Sequence, residues 1–183
     1  LWVPVGGSIY AVRRYGDELF IGGTFNGIGY PSGCYTRINE LDASTRKNSF
    51  RFPLGEVHTM VSDQQGGVYI GGSFFLGQLS PYKNLVHIRA DGSLDSLFKP
   101  APNLLVRSLL LVNGRLFAGG DFSHIGPSSR KWLAELNPLT GEALDWTPEP
   151  DGAVHCMSSD GQNLFVGGNF NTIVYTGRNK LAA

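Results

Sequence analysis

"LFIGGTF" at residues 19–25 sets two adjacent glycines inside an apolar, strand-like run. A strand is normally stabilised through its side chains, and a glycine pair removes two of them, so something else must compensate. The run returns as "VYIGGSF" at 68–74, "LFAGGDF" at 116–122 and "LFVGGNF" at 164–170. Gly22, Gly71, Gly119 and Gly167 stand 49, 48 and 48 residues apart. So regular a period marks a tandem array, whose core forms between repeats and not within one.

The third repeat reads most clearly. "VRSLLLV" from Val106 alternates and runs into Asn113 and Gly114, the dipeptide suited to the positive φ angles of a type I′ hairpin turn. "RLFAGGDF" is then its hairpin partner, "SHIGPSSRK" a loop, "WLAELN" a third strand, and "ALDWTP" a fourth that its proline closes. "YGDE", "QQGG" and "SDGQ" hold the first turn elsewhere, and Phe98 stands where Trp146 does. No helical period occurs. Four strands in about 48 residues predict an all-β chain, a β-propeller of four-stranded antiparallel blades. The repeats span approximately 1–53, 54–101, 102–149 and 150–183, the last incomplete. Packed blades explain the glycines: Gly22, Gly23, Gly71, Gly72, Gly119, Gly120, Gly167 and Gly168 let a neighbouring blade approach closely. Phe25, Phe74, Phe122 and Phe170, with Trp2, Phe98 and Trp146, are the expected wedges.

Fifteen basic and fifteen acidic residues cancel without a cationic run, which argues against a nucleic-acid partner. The longest apolar stretch, residues 103–112, is short and broken by Arg107, so no membrane span is expected. Cys34 and Cys156 occupy non-equivalent positions, form no metal pattern, and are expected to be buried thiols. The chain opens on "LWVP" with no signal-like segment, as a processed chain or a fragment would.

Leu-Phe-x-Gly-Gly-x-Phe, an Ile-Gly loop, basic residues, Leu-Ala-x-Leu-Asn, and then Thr-Gly or "DGSLDSLF" together resemble the delta-sixty class of bacterial propeller repeats. "LNPLTGEALDW" (136–146) is also similar to the tryptophan-docking tail of quinoprotein propellers, with Asn137 in place of the usual Asp. The resemblance covers the whole chain and implies a kelch-like or quinoprotein-like blade on a surface or secreted protein. It implies no particular reaction. The first repeat departs from it after Gly29, lacking the Leu-Ala-x-Leu strand and carrying a longer, more basic turn.

Tyr10, His58, Arg107 and His155 occupy one repeat position on the first strand, which lines the axis of a propeller. They read either as inter-blade hydrogen-bonding groups or as an arc binding an anion or carboxylate. Thr24, Ser73, Asp121 and Asn169 follow the glycine pairs and suit bonds to neighbouring loops, or a ligand. Tyr30, Tyr82 and Tyr175 share the long loop of three repeats; they pack on their own blades or offer a rim for a glycan or peptide. "DGSLD" (91–95) reads as a hairpin turn, without the ligand density of a calcium loop. No catalytic residue, metal or cofactor is expected. The function expected is a non-enzymatic recognition or scaffold module, extracellular or at the cell surface, binding protein or glycan. The alternatives are a quinoprotein-like or lyase-like enzyme with a site at the channel mouth, and an architectural segment of a filament, layer or adhesin. "NKLAA" aligns with "KWLAE" (131–135), so a larger chain or a homo-oligomer is expected to complete the ring.

Overall fold

Each glycine pair lies in the second strand of a small antiparallel sheet, and the sheets follow one another along the chain. The computed structural model describes residues 6–28, 33–42, 44–46, 54–76, 81–173, 176–177 and 181–182. All its regular elements are strands, and none of the sheets closes on itself. The first sheet pairs Ile9–Tyr15, Glu18–Gly23, Tyr35–Asn39 and Thr45–Arg46 in order. The second pairs Leu54–Ser62, Val68–Phe75 and Lys83–Ile88; the third Val106–Val112, Arg115–Gly120 and Leu133–Leu136; the fourth Val154–Ser159, Leu164–Gly168 and Leu181–Ala182.

Local sequence accounts for the hairpins. Asn113 and Gly114 take φ of 50° and 74°, the left-handed pair that joins Val112 to Arg115 without splaying the strands. Leu181 pairs with Gly167 as Leu133 pairs with Gly119, the register that the alignment of 179–183 with 131–135 requires.

Two expectations about strands are corrected. "ALDWTP" is not a strand: the third and second sheets meet a fourth segment only at single bridges, Leu136 with Ala143 and Ile88 with Leu94. Those segments are held by side chains, Trp146 standing edge-on to Phe117 and Phe98 packing on Tyr69 at a ring separation of 5.2 Å. The first repeat does keep its third strand despite its altered sequence. Tyr35–Asn39 pairs with Glu18–Gly22 because a ladder uses backbone groups, and Tyr35 and Thr36 fill the buried positions. The loop "SHIGPSSRK" also contains a small hairpin of its own, His124–Ile125 with Ser128–Ser129.

The core lies between consecutive sheets. Phe20, Tyr35, Val57, Met60, Ile70 and Phe74 join the first two; Tyr69, Phe98, Val106, Leu109, Leu116 and Phe122 the second and third; Leu133, Val154, Val166 and Phe170 the third and fourth. The glycines divide the work. A methyl group built on Gly71 would lie 2.7 Å from Val106 Cγ1, one on Gly119 would lie 2.5 Å from Val154 Cγ1, and one on Gly22 would strike Val57. The wedge is therefore a valine of the next sheet, not the expected aromatic. Phe74, Phe122 and Phe170 face the preceding sheet, while Phe25 lies with Ile21, Ile28 and Ile38. The second glycine serves its own sheet: a methyl there would strike the carbonyl of Ser8, Glu56, Leu105 or Ala153. Trp2, Tyr30 and Tyr175 lie outside the described residues.

Gly119→Val should destabilise the protein by about 1–3 kcal/mol through overpacking against Val154. Urea unfolding measures it, and an unchanged midpoint would exclude the close approach as the reason for the glycine.

Candidate ligand cleft

The four first-strand polar residues are placed by a single backbone device. Ladder pairing is interrupted between Ile9 and Ala11, Val57 and Thr59, Val106 and Ser108, and Val154 and Cys156. Tyr10, His58, Arg107 and His155 are the inserted residues of four equivalent β-bulges, each opposite a glycine pair. Tyr10 and His58 come together, with ring centroids 5.4 Å apart. His58 Nε2 lies 2.9 Å from Glu56 Oε2. Arg107 makes a two-pronged pair with Asp121, Nε to Oδ1 and Nη2 to Oδ2 both at 2.8 Å, which raises the guanidinium pKa first through those hydrogen bonds. A carboxylate ligand would have to displace Asp121 from that fork. Thr24 Oγ1 likewise accepts from the Ser8 amide at 2.8 Å, so two of the four residues after the glycine pairs bond within their own repeat.

Tyr82 is half-buried and its hydroxyl donates to the Ser96 carbonyl at 3.3 Å. Arg130, 48 residues later, donates from Nη2 to the Leu144 carbonyl at 2.9 Å, and 144 is 48 residues after 96. Tyrosine and arginine thus perform one task, strapping the long loop to the irregular fourth segment. Of the two cysteines, Cys34 is buried, and desolvation pushes its thiol up to about 11, whereas Cys156 is exposed, against expectation. Cys156 lies on the first strand of the fourth sheet, its Sγ 3.8 Å from the Gly167 carbonyl.

A cluster not legible in advance stands at the rim of the second sheet. His87 Nδ1 lies 3.0 Å from Asp95 Oδ2 and its Nε2 3.1 Å from Asp63 Oδ2, with Tyr69 stacked on the ring at 4.4 Å and Arg89 Nη2 2.6 Å from Asp95 Oδ1. Burial pushes the Tyr69 phenol up to about 12, helped by Asp63 and Asp95. Asp95 resists its own desolvation: hydrogen bonds from His87 and the Leu97 amide, with the charge of Arg89, hold its carboxyl below the usual range. Asp63 Oδ1 accepts from the amides of Gln65 and Gly67. Every group here is committed to another, so the cluster fastens the turns of the second repeat. The "DGSLD" turn contributes Asp95 to it.

The open site lies between the third and fourth repeats, a cleft of about 500 Å³ lined by Arg130, Lys131, Trp132, Glu149, Asp151 and Thr172, among others. Two of its walls adopt left-handed backbone, Trp132 at φ 61° and Glu149 at φ 45°. Both conformations recur 48 residues earlier, in Asn84 at φ 62° and Ala101 at φ 45°. Asn84 suits its place, because asparagine tolerates this region and its amide bridges two backbones: Oδ1 accepts from Phe74 N at 3.1 Å and Nδ2 donates to Pro102 O at 2.9 Å. Trp132 can supply no such bridge. It holds a conformation that disfavours an aromatic side chain, packs one side on the core of the third and fourth sheets, and stands beside Lys131, whose Nζ lies 6.0 Å from the ring. Across the cleft Asp151 Oδ1 accepts from the Thr172 amide at 3.0 Å and the Asn171 amide at 2.6 Å, which hold its exposed carboxyl below the usual range. The arrangement combines an aromatic face with fixed charges of both signs. Sequence reading overlooked it because Trp132 looks like one more apolar residue at the head of "WLAELN".

The chain matches no family model and no curated protein. Among solved structures it is similar to the computationally designed Ika4 protein, with TM-score 0.62 and 13% identity over 96% of this chain and 90% of that one. It is also similar to the computationally designed Ika8 protein, with TM-score 0.61 and 14% identity over 94% of this chain. There it spans about half of the longer chain, 48%. At these identities the likeness is one of fold.

Two outcomes are expected. The depressed Asp95 carboxyl stabilises the fold at pH values above the unfolded pKa, for which the ordinary value is 3.8, and that contribution is lost as pH falls through the folded pKa. Urea midpoints should therefore drop on acidification below about pH 4, and Asp95→Asn should flatten that drop. Second, Trp132→Asn relieves the left-handed aromatic but loses its packing on the core, so its cost should stay below the roughly 3–5 kcal/mol of an ordinary packed-tryptophan truncation, and a cost in that range would refute the strain.

Proposed function

We propose that the chain is a β-propeller segment of the delta-sixty type, acting as a non-enzymatic recognition module of a secreted or cell-surface bacterial protein, and that it holds a short glycan in the cleft at Trp132. One observation carries this reading. At a backbone position where the preceding repeat keeps a stabilising asparagine, this repeat keeps a strained tryptophan that faces a cleft. Strain retained beside an open cavity is best explained by a ligand that uses the side chain. An indole offers a flat apolar face for the C–H face of a sugar ring, and Lys131 and Asp151 offer a donor and an acceptor for its hydroxyls. The volume falls in the range of small-ligand pockets, about 300–1,000 Å³.

A glycan array with the purified chain tests the reading, followed by calorimetry on any sugar retained. Binding should fall at least tenfold in Trp132→Asn while the fold persists. An array on which no sugar is retained, or equal affinity in the variant, would overturn the glycan assignment.

A further inference from the structure

The three internal junctions are built to one pattern. Val57 and Met60 of the second sheet stand over Gly22; Val106 and Leu109 of the third over Gly71; Val154 and Met157 of the fourth over Gly119. The three valines and Met60 are fully buried, and Leu109 is 5% exposed. Beside each socket glycine a small first-strand residue is covered as well: Ala11, Thr59 and Ser108 are all buried. One junction adds a hydrogen bond, from the Leu109 amide to Thr59 Oγ1 at 3.2 Å.

At the two ends of the stack the counterparts of covered residues stand exposed. By register Ile9 corresponds to Val57 and Val12 to Met60, yet Ile9 is 44% and Val12 45% exposed. At the other end Cys156 pairs with Gly167 as Ser108 pairs with Gly119, yet Cys156 is exposed. The first face is apolar, raised and uncovered; the last bears the small residue that every internal junction covers. Each half matches the other, and neither matches itself.

We propose that two copies of this chain associate head to tail, each setting Ile9 and Val12 over Gly167 and Cys156 of the other, so that two identical contacts close one ring. The contact is continuous with the junctions already formed inside the chain, and a two-fold ring leaves no unsatisfied end. A copy closing on itself would bury its own Ile9 and Val12, which are exposed. The inference rests on the stacked sheets and not on the glycan reading, so loss of either leaves the other standing.

Sedimentation of the 183-residue chain at micromolar concentration should give twice the chain mass, and a monomer overturns the proposal. Val12→Asp, at a position exposed in the single chain, should yield monomers with an unchanged circular dichroism spectrum; a persisting dimer would place the contact elsewhere. For a second variant, Leu109 and Thr59 show that positions equivalent to 12 and 156 meet across a junction. A short bis-maleimide should therefore link Val12→Cys to Cys156 between chains, giving a covalent dimer on denaturing gels that disappears when Cys156→Ser is added. Cross-linking within one chain would indicate self-closure and refute the proposal, as would a dimer that does not cross-link.

Discussion

The fold depends on a methyl group entering the space of an absent side chain. Val57, Val106 and Val154 each insert Cγ1 where the facing strand carries only a glycine hydrogen, and each is fully buried by doing so. Burial of a valine stabilises by about 1.5–3 kcal/mol, and the closeness of the sheets extends the benefit to the larger residues around it. Apart from the small cluster of Ile21, Phe25, Ile28 and Ile38 in the first repeat, the buried clusters form between sheets. Remove the socket and the sheets separate, exposing Phe20, Tyr69 and Phe117, which are nearly fully buried. The glycine pair that weakens a strand locally is thus what permits the stack.

The same pair fixes the bulge. With no side chain at Gly23, Gly72, Gly120 and Gly168, the carbonyl two residues before the bulge can tuck against the strand, and in three repeats it accepts the amide of the residue after the pair: Ser8 from Thr24, Leu105 from Asp121, Ala153 from Asn169. One glycine sets the distance between sheets and its neighbour sets the geometry within one. The inserted residue is consequently free of packing duty, which is why Tyr10, Arg107 and two histidines all fit the same position.

How far the sequence speaks follows from which interactions repeat. The period, the hairpin turns, the all-β class and the common position of Tyr10, His58, Arg107 and His155 are legible, because each recurs in every repeat. The irregular fourth segment is not, since alternation in "ALDWTP" looks like a strand while the holding force is Trp146 on Phe117. Nor is the third strand of the first repeat, where backbone pairing survives a change of side chains. The valine wedge was hidden for another reason. Aromatics in register suggest the large contact, but the socket of a single glycine admits only a small branched side chain.

The cleft illustrates the reverse case, a feature visible only as departure from the repeat. Asn84 and Trp132 share a backbone conformation, so the scaffold does not ask for tryptophan; it asks for a residue that tolerates φ near 60° and bridges Phe74 or Phe122 to the proline beyond. An indole in that place makes no such side-chain bridge and packs instead on the core of the third and fourth sheets. A repeat protein can afford this at one junction because its stability is nearly a sum over junctions, and the other two retain their own contacts. Tandem architecture therefore separates two demands: repeated junctions hold the array, and one junction is left free to depart from the pattern.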